Sequence, residues 1–386
     1  MYSTNVMNNL IKSSWIRAMF EEGARLKQIH GCENVFDFTI GNPDPDPPEK
    51  VKTTLKNLVS EGSSGMHRYM NNAGFNDVRE KIASKICSET NLNISSKHIV
   101  MTCGAAGGLN VALKTILNPG EEVIVFSPYF VEYLFYIGNH GGKGVPVKTI
   151  PDTFEPDIEA LTKAINEKTR AIIVNSPNNP TGIIYKEDTL KRISGVIESK
   201  EQEFNTDITV ISDEPYGNIV YDNIKVPSIL NIFKNSVVIN SFSKSHSLPG
   251  ERIGYIAVNP LIKECQKFLD GIVFCNRTLG FVNAPALFQK VVSECLDDVV
   301  DSNIYKERRD LLYNKLINLG FKCVKPEGAF YLFPKSPIDD DVEFVKQALK
   351  YNLLFVPGSG FGTTGYFRLS YCINLKTIEN SFEALE

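Results

Sequence analysis

From about residue 99 to 258, short β-branched apolar runs alternate with stretches whose apolar residues recur at helical spacing. The runs at 99–102, 123–126, 171–175, 208–212, 237–241 and 254–258 predict strands. Helical patterns fall between several of them, at 109–117, 158–165 and 186–199. Near-continuous apolar strands separated by helices predict an α/β fold whose mostly parallel sheet is covered on both faces. After about residue 285 the pattern changes. Two long helical stretches, 286–319 and 341–351, are interleaved with short strands at 329–333 and 366–370, which predicts a smaller α+β domain. The expected organisation is an N-terminal arm over 1–45, a large domain over 46–285 and a small C-terminal domain over 286–386.

Polar residues are placed as tellingly as apolar ones. Five polar clusters each follow a predicted strand: Cys-Gly-Ala-Ala-Gly-Gly at 103–108, Ser-Pro-Tyr-Phe at 127–130, Ser-Pro-Asn-Asn-Pro-Thr-Gly at 176–182, Asp-Glu-Pro-Tyr at 213–216 and Ser-Phe-Ser-Lys at 241–244. In open α/β sheets the carboxyl ends of the strands border the ligand crevice. The five clusters therefore converge on one site.

Composition narrows the classes. With 386 residues and 22% charged, the chain is long enough for two or three domains and a sizeable core. A net charge of −4 argues against a broad nucleic-acid footprint but leaves room for a small phosphate pocket. The eight cysteines are scattered and form no Cys-x-x-Cys pair, so no metal site is expected and free thiols in a reducing cytoplasm are. No apolar run is long enough to span a membrane. Near the N-terminus, Ile11, Trp15, Ile16, Met19 and Phe20 are interrupted by Lys12 and Arg17 and followed by Glu21 and Glu22. That suits neither a signal peptide nor a transit peptide and predicts an amphipathic arm packing on protein.

Each cluster has two readings. Small residues before a helix expose backbone N–H groups that bind an anion, but a tight strand-to-helix turn needs glycine as well. Asp213 ends a strand that should be buried, where a carboxylate needs a cation unless it merely caps a turn. Most lysines are solvated surface residues. Lys244, however, sits at a strand end among small residues, with Arg252 eight positions on, and a buried lysine near a cation loses its proton readily.

Taken together, Pro-Asn-Asn-Pro-Thr-Gly, Asp-Glu-Pro-Tyr, Ser-Phe-Ser-Lys and Gly-Glu-Arg-Ile-Gly-Tyr resemble the class I/II aminotransferases, pyridoxal 5'-phosphate enzymes of the aspartate aminotransferase superfamily and fold type I. The order and spacing match from Gly41 to Arg368. The resemblance implies that Lys244 holds the cofactor covalently and then serves as general base, and that Asp213 pairs with the protonated pyridine nitrogen. It gives Asn179 and Tyr216 the cofactor's 3′-oxygen and Phe130 the ring face, with Tyr129 as competitor for that place. Gly104, Ala105, Ala106, Ser241 and Arg252 would cradle the phosphate, with Tyr69 reaching it from a neighbouring subunit. Arg368 and the Gly41 backbone, beside Phe130 and Asn179, would take the substrate α-carboxylate.

Two departures stand out. Ala105 and Ala106 replace residues that in many members include a hydroxyl or glycine, and Gly-Glu-Arg replaces the commoner Gly-Trp-Arg. The implied activity is a ping-pong exchange between a small L-amino acid and a 2-oxo acid in a homodimer with shared sites. Aspartate or glutamate is favoured and alanine allowed. Arg277, or failing it Arg17, is the candidate for a distal carboxylate. A β-lyase cleaving a sulfur-bearing side chain is the enzyme alternative. A ligand-sensing module is the other, and the N-terminal 40 residues are too short and too weakly basic to supply its DNA-binding segment.

Overall fold

In a computed structural model of the chain, which describes residues 2–62 and 64–386 apart from the side chains of 5 and 11–20, a seven-stranded sheet forms the centre. Its strands are β1 (Ile99–Thr102), β2 (Glu122–Ser127), β3 (Lys143–Lys148), β4 (Thr169–Asn175), β5 (Thr209–Asp213), β6 (Ser236–Ser241) and β7 (Gly254–Val258). The spatial order is β1-β7-β6-β5-β4-β2-β3, and β7 alone runs antiparallel to its neighbours. Apart from the edge strand β3, the strands bury both faces, as their unbroken apolar runs require. Ile172 and Val174 of β4 join one apolar cluster while Ala171 and Ile173 join the other, the period-two alternation of a strand between two layers.

Sequence and structure agree on six strands, but β3 has no counterpart among those predicted. It is an edge strand, Lys-Gly-Val-Pro-Val-Lys, whose proline and glycine read as a loop and are tolerated there because one side needs no ladder bonds. The N-terminal segment forms one helix, α1 (Thr4–His30). Its last turns pack Leu26 against Leu354 and pair Lys27 with Asp37 at 2.7 Å. The side chains of Ile11, Trp15, Ile16, Met19 and Phe20, and of Arg17, lie outside the described residues.

A second correction concerns the helix predicted over 286–319. It is two helices, Ala286–Ser293 and Ser302–Asn318, parted by a turn. That turn is bound to the segment carrying Lys244: Val300 N–H donates to Ser245 O, and His246 Nε2 lies 2.8 Å from Cys295 O. Asp301 caps the second helix by accepting from Asn303 N–H, a local start signal inside what reads as one continuous helical pattern. The C-terminal part has its own core around Phe330, Phe355 and Phe367 and its own antiparallel sheet. In that sheet β8 (Tyr331–Leu332) and β9 (Val356–Pro357) flank β10 (Phe367–Ser370). The chain before the large sheet returns here: Phe36–Asp37 pairs in parallel with Leu353–Leu354, and Ser370 N–H donates to Phe38 O. Among the described residues, no helix is long and apolar enough to cross a membrane.

One glycine ties sheet to site. A Cβ on Gly254, the first residue of β7, would lie 2.5 Å from Asn240 O and 3.1 Å from Gly104 Cα, both backbone atoms. Gly254 therefore lets the turn before the helix Gly104–Ile116 sit directly on the sheet. We expect Gly254→Ala to push that turn outward and to lower Tm by several degrees, which calorimetry measures.

Candidate active site

The carboxyl ends of β1, β2, β4, β5 and β6 open on one cavity of about 500 Å³, closed from the other side by the loop around Gly41 and by β8 and β10. Asp213 ends β5 opposite Asn175, which ends β4. The Asn175 side chain fixes this corner, with Nδ2 donating to Asp213 O at 2.8 Å and Oδ1 accepting from Asn179 N–H at 2.8 Å. The buried Asp213 carboxylate accepts from the Tyr133 hydroxyl at 2.5 Å through Oδ2. Its Oδ1 has no partner among the described residues. Burial pushes the carboxyl up to about 6, and the Tyr133 bond only partly offsets that.

Lys244 lies on the four-residue helix Phe242–Ser245 directly after β6. Nζ donates to Gly41 O at 2.5 Å and stands 5.6 Å from the centre of the Phe330 ring. Burial lowers its amine to about 8; Arg368 and Arg252 push the same way, and the Cys372 thiol pushes against them. Burial is thus the larger cause, and the nearby arginines that the sequence pointed to are the smaller one.

Arg368 comes from β10 and is buried. It donates to Asn179 Oδ1 at 3.0 Å and to Thr39 O at 2.6 Å, between the rings of Tyr331 and Phe361. Its Nε is buried without a partner among the described residues. Tyr216 reaches the same wall, with its hydroxyl 2.9 Å from that of Tyr331. At the opposite end, Gly104 takes a left-handed φ of 71° at the start of a 13-residue helix. The left-handed φ favours glycine here, and a Cβ would meet Arg252 Nη2 at 2.9 Å and displace the guanidinium. Ala105, Ala106 and Ser241 line this end beside Arg252.

Of the two candidates, Phe130 lines the cavity, whereas Tyr129 is packed against Gly362 and donates its backbone N–H to Phe361 O. Two predicted site residues stay apart from this cavity. Tyr69 is 92% exposed, and Arg277 is exposed at the end of the helix Cys265–Thr278, lying over Phe274. Sequence reasoning missed Tyr133, Asn175, Thr39, Tyr331 and Phe361. Tyr133 lies three residues beyond Phe130, in the helix Glu132–Asn139 that follows the Ser-Pro-Tyr-Phe cluster, and that nearness is the only signal that could have found it.

The comparisons bear on this geometry. The family model for aminotransferase class I and II matches residues 33–385. A probable aspartate aminotransferase of Methanocaldococcus jannaschii is 33% identical over 383 residues, covering 96% of each chain. The aspartate aminotransferase of Thermotoga maritima is 33% identical over 359 residues, covering 92% of this chain and 91% of that one. Among solved structures, an amino transferase from Eubacterium rectale superposes with a TM-score of 0.96 at 39% identity, covering 100% of this chain and 97% of that one. Aspartate aminotransferase from Thermus thermophilus with maleate gives 0.85 at 28% identity, covering 96% and 95%. With the strand-end lysine, aspartate and arginines converging on one cavity, the chain belongs to the class I and II aminotransferases and is a pyridoxal-phosphate-dependent enzyme of that family.

Proposed function

We propose that the protein moves an amino group from a small L-amino acid to a 2-oxo acid in two half-reactions that use this site in turn. One observation carries the reading: the unpartnered Asp213 Oδ1, the weakly basic Lys244 amine and the unpartnered Arg368 Nε all belong to one cavity. The residues fit pyridoxal phosphate. Asp213 Oδ1 is a buried acceptor suited to a protonated ring nitrogen, and the Gly104 turn with Arg252 is a cradle that a Cβ would fill. When bound, that cofactor supplies an electron sink for the bond broken at the amino acid's α-carbon.

The chain's own residues supply the rest. Ala105, Ala106, Ser241 and Arg252 hold the phosphate, and Phe130 covers the ring. Asn179 and Tyr216 hold the 3′-oxygen. Arg368 orients the α-carboxylate, aided by the Gly41 backbone, and Lys244 Nζ takes the α-proton and returns it. A Lys244 amine near 8 is partly unprotonated at neutral pH, as a base in that role requires.

We assign aspartate or glutamate as donors, in line with relatives named aspartate aminotransferases. Within the chain, Arg252 and Arg368 are committed to phosphate and α-carboxylate. Among the described residues no further arginine lines the cavity, so we assign a distal carboxylate to Arg277 of a second copy, with Arg17 as the next candidate. Tyr69 completes the phosphate site across the same homodimer contact.

Three outcomes test this reading. In cofactor-free protein, modification of Lys244 by acetic anhydride should rise with pH through a midpoint near 8, since only the neutral amine reacts. A midpoint near that of an ordinary lysine, followed by mass spectrometry, would count against the burial argument. In a panel of amino acids with 2-oxoglutarate, aspartate should be a preferred donor, and Arg277→Leu should lower kcat/KM about ten- to hundredfold more for aspartate than for alanine. Equal losses would remove Arg277, and pyruvate release from cystathionine without an acceptor would replace the transferase with a lyase. Finally, mixing inactive Lys244→Ala and Tyr69→Phe variants should restore part of the activity through heterodimers with one intact site. No rescue despite subunit exchange would reject the shared site.

A further inference from the structure

Tyr331 of β8 is 2% exposed and meets three groups of the cavity, Tyr216, Arg368 and Gly41. Its ring stands edge-on to Tyr216, with centroids 5.7 Å apart at 82°, and the Arg368 guanidinium lies 4.6 Å from its ring centre. Its hydroxyl packs on Gly41 in the space a Cβ there would take, which explains glycine at 41 without any unusual φ. Gly41 in turn gives its carbonyl oxygen to Lys244 Nζ.

The two facing phenols, 2.9 Å apart, share one hydrogen bond, and each has one proton. Among the described residues, neither hydroxyl has another hydrogen-bond partner. Tyr331 Oη sits against Gly41, and Tyr216 Oη is its only hydrogen-bond partner among the described residues, so a proton turned toward Gly41 forfeits that bond in a buried place, a costly arrangement. Burial holds both phenols far from ionisation, with Tyr331 pushed up to about 12, so both keep their protons at neutral pH.

We propose that Tyr331 is a positioning residue: it donates to Tyr216 Oη and so turns the only proton of Tyr216 into the cavity, toward the cofactor's 3′-oxygen. The inference rests on the reading of Tyr216 as the donor to that oxygen. A lone Tyr216 could rotate its proton out of the productive direction; with Tyr331 donating to it, the remaining lone pair and the proton are both assigned. The same contact sets the Gly41 carbonyl over Lys244.

Tyr331→Phe tests this in the holoenzyme, because it keeps the ring under Arg368 and removes only the hydroxyl. A hydrogen bond to the cofactor oxygen stabilises the form with more negative charge on it, which is the deprotonated one. Weakening that bond should therefore raise the pH midpoint of the bound cofactor's visible absorption change by about half a unit or more. The rate constant kcat should fall about three- to tenfold, with KM for the amino acid held within about twofold by the intact Arg368 contacts. In a Tyr216→Phe background, Tyr331→Phe should move the midpoint no further. An unmoved midpoint, an equal shift in both backgrounds, or a raised KM without a spectral shift would each overturn the proposal while leaving the site reading intact. Absence of any cofactor band in the unaltered protein would overturn both together.

Discussion

A carboxylate buried at the end of a central strand, with one oxygen bonded and the other bare, sets the terms for the rest of this site. Asp213 cannot move to solvent, because β5 and its Asn175 partner hold the backbone there. Burial pushes its carboxyl up to about 6, so the charge persists at neutral pH against its surroundings, and the Tyr133 hydroxyl removes only part of that penalty. The cations across the cavity carry the opposite burden. Burial lowers Lys244 to about 8 and also lowers Arg368, whose Nε stays unpaired. A ligand presenting a cationic ring nitrogen, a phosphate and a carboxylate relieves all of these at once. The cavity is complementary to such a ligand because the fold leaves these groups mutually unsatisfied.

Two parts of the chain bring those charges together by different means. The parallel portion of the sheet aligns five strand ends, so Asp213 and Lys244 need only local turns to face each other. The phosphate end needs closer packing: β7 starts with a glycine so that the Gly104 turn can lie against it. Arg368 and Tyr331 arrive instead from the short antiparallel sheet of the C-terminal part, and the Gly41 loop threads between the two. Lys244 bonds to that loop, while the turn after it is tied to the 295–300 segment by Ser245 and His246. Relative movement of the two parts would therefore be felt at the lysine itself.

What was legible in the sequence follows from this division. The large-sheet strands are unbroken apolar runs, and the polar residues at their ends could be assigned to one crevice before any contact was known. The edge strand β3 was hidden because an edge tolerates the Pro and Gly that mark loops elsewhere. The break between Ser293 and Ser302 was hidden because apolar spacing continues across it while the backbone turns. Site residues carried by motifs were found; those defined by tertiary contact were not. Tyr331 sits in Ala-Phe-Tyr-Leu-Phe, which reads as core strand, and only the register of β8 beside β10 brings it to Arg368. Tyr133 looks like one more apolar-face aromatic until the end of β5 is placed against it.

The charges lining the cavity also bear on how a substrate side chain is chosen. They are Glu132, Asp213, Lys244, Arg252 and Arg368. Once Asp213 faces a ring nitrogen and the three cations serve cofactor, phosphate and α-carboxylate, Glu132 is what remains. It is half-buried, and burial pushes its carboxyl upward, so part of its charge is already disfavoured. An anionic side chain entering beside it adds like charge in a medium that screens poorly. Affinity for dicarboxylic acids must then come from a cation outside this chain's own lining, strong enough to exceed that repulsion. On the proposed reading, the choice of side chain would then fall to groups beyond this lining, such as Arg277, whereas Asp213, Lys244 and Arg368, the groups assigned to the chemistry at the α-carbon, all line the cavity from one chain.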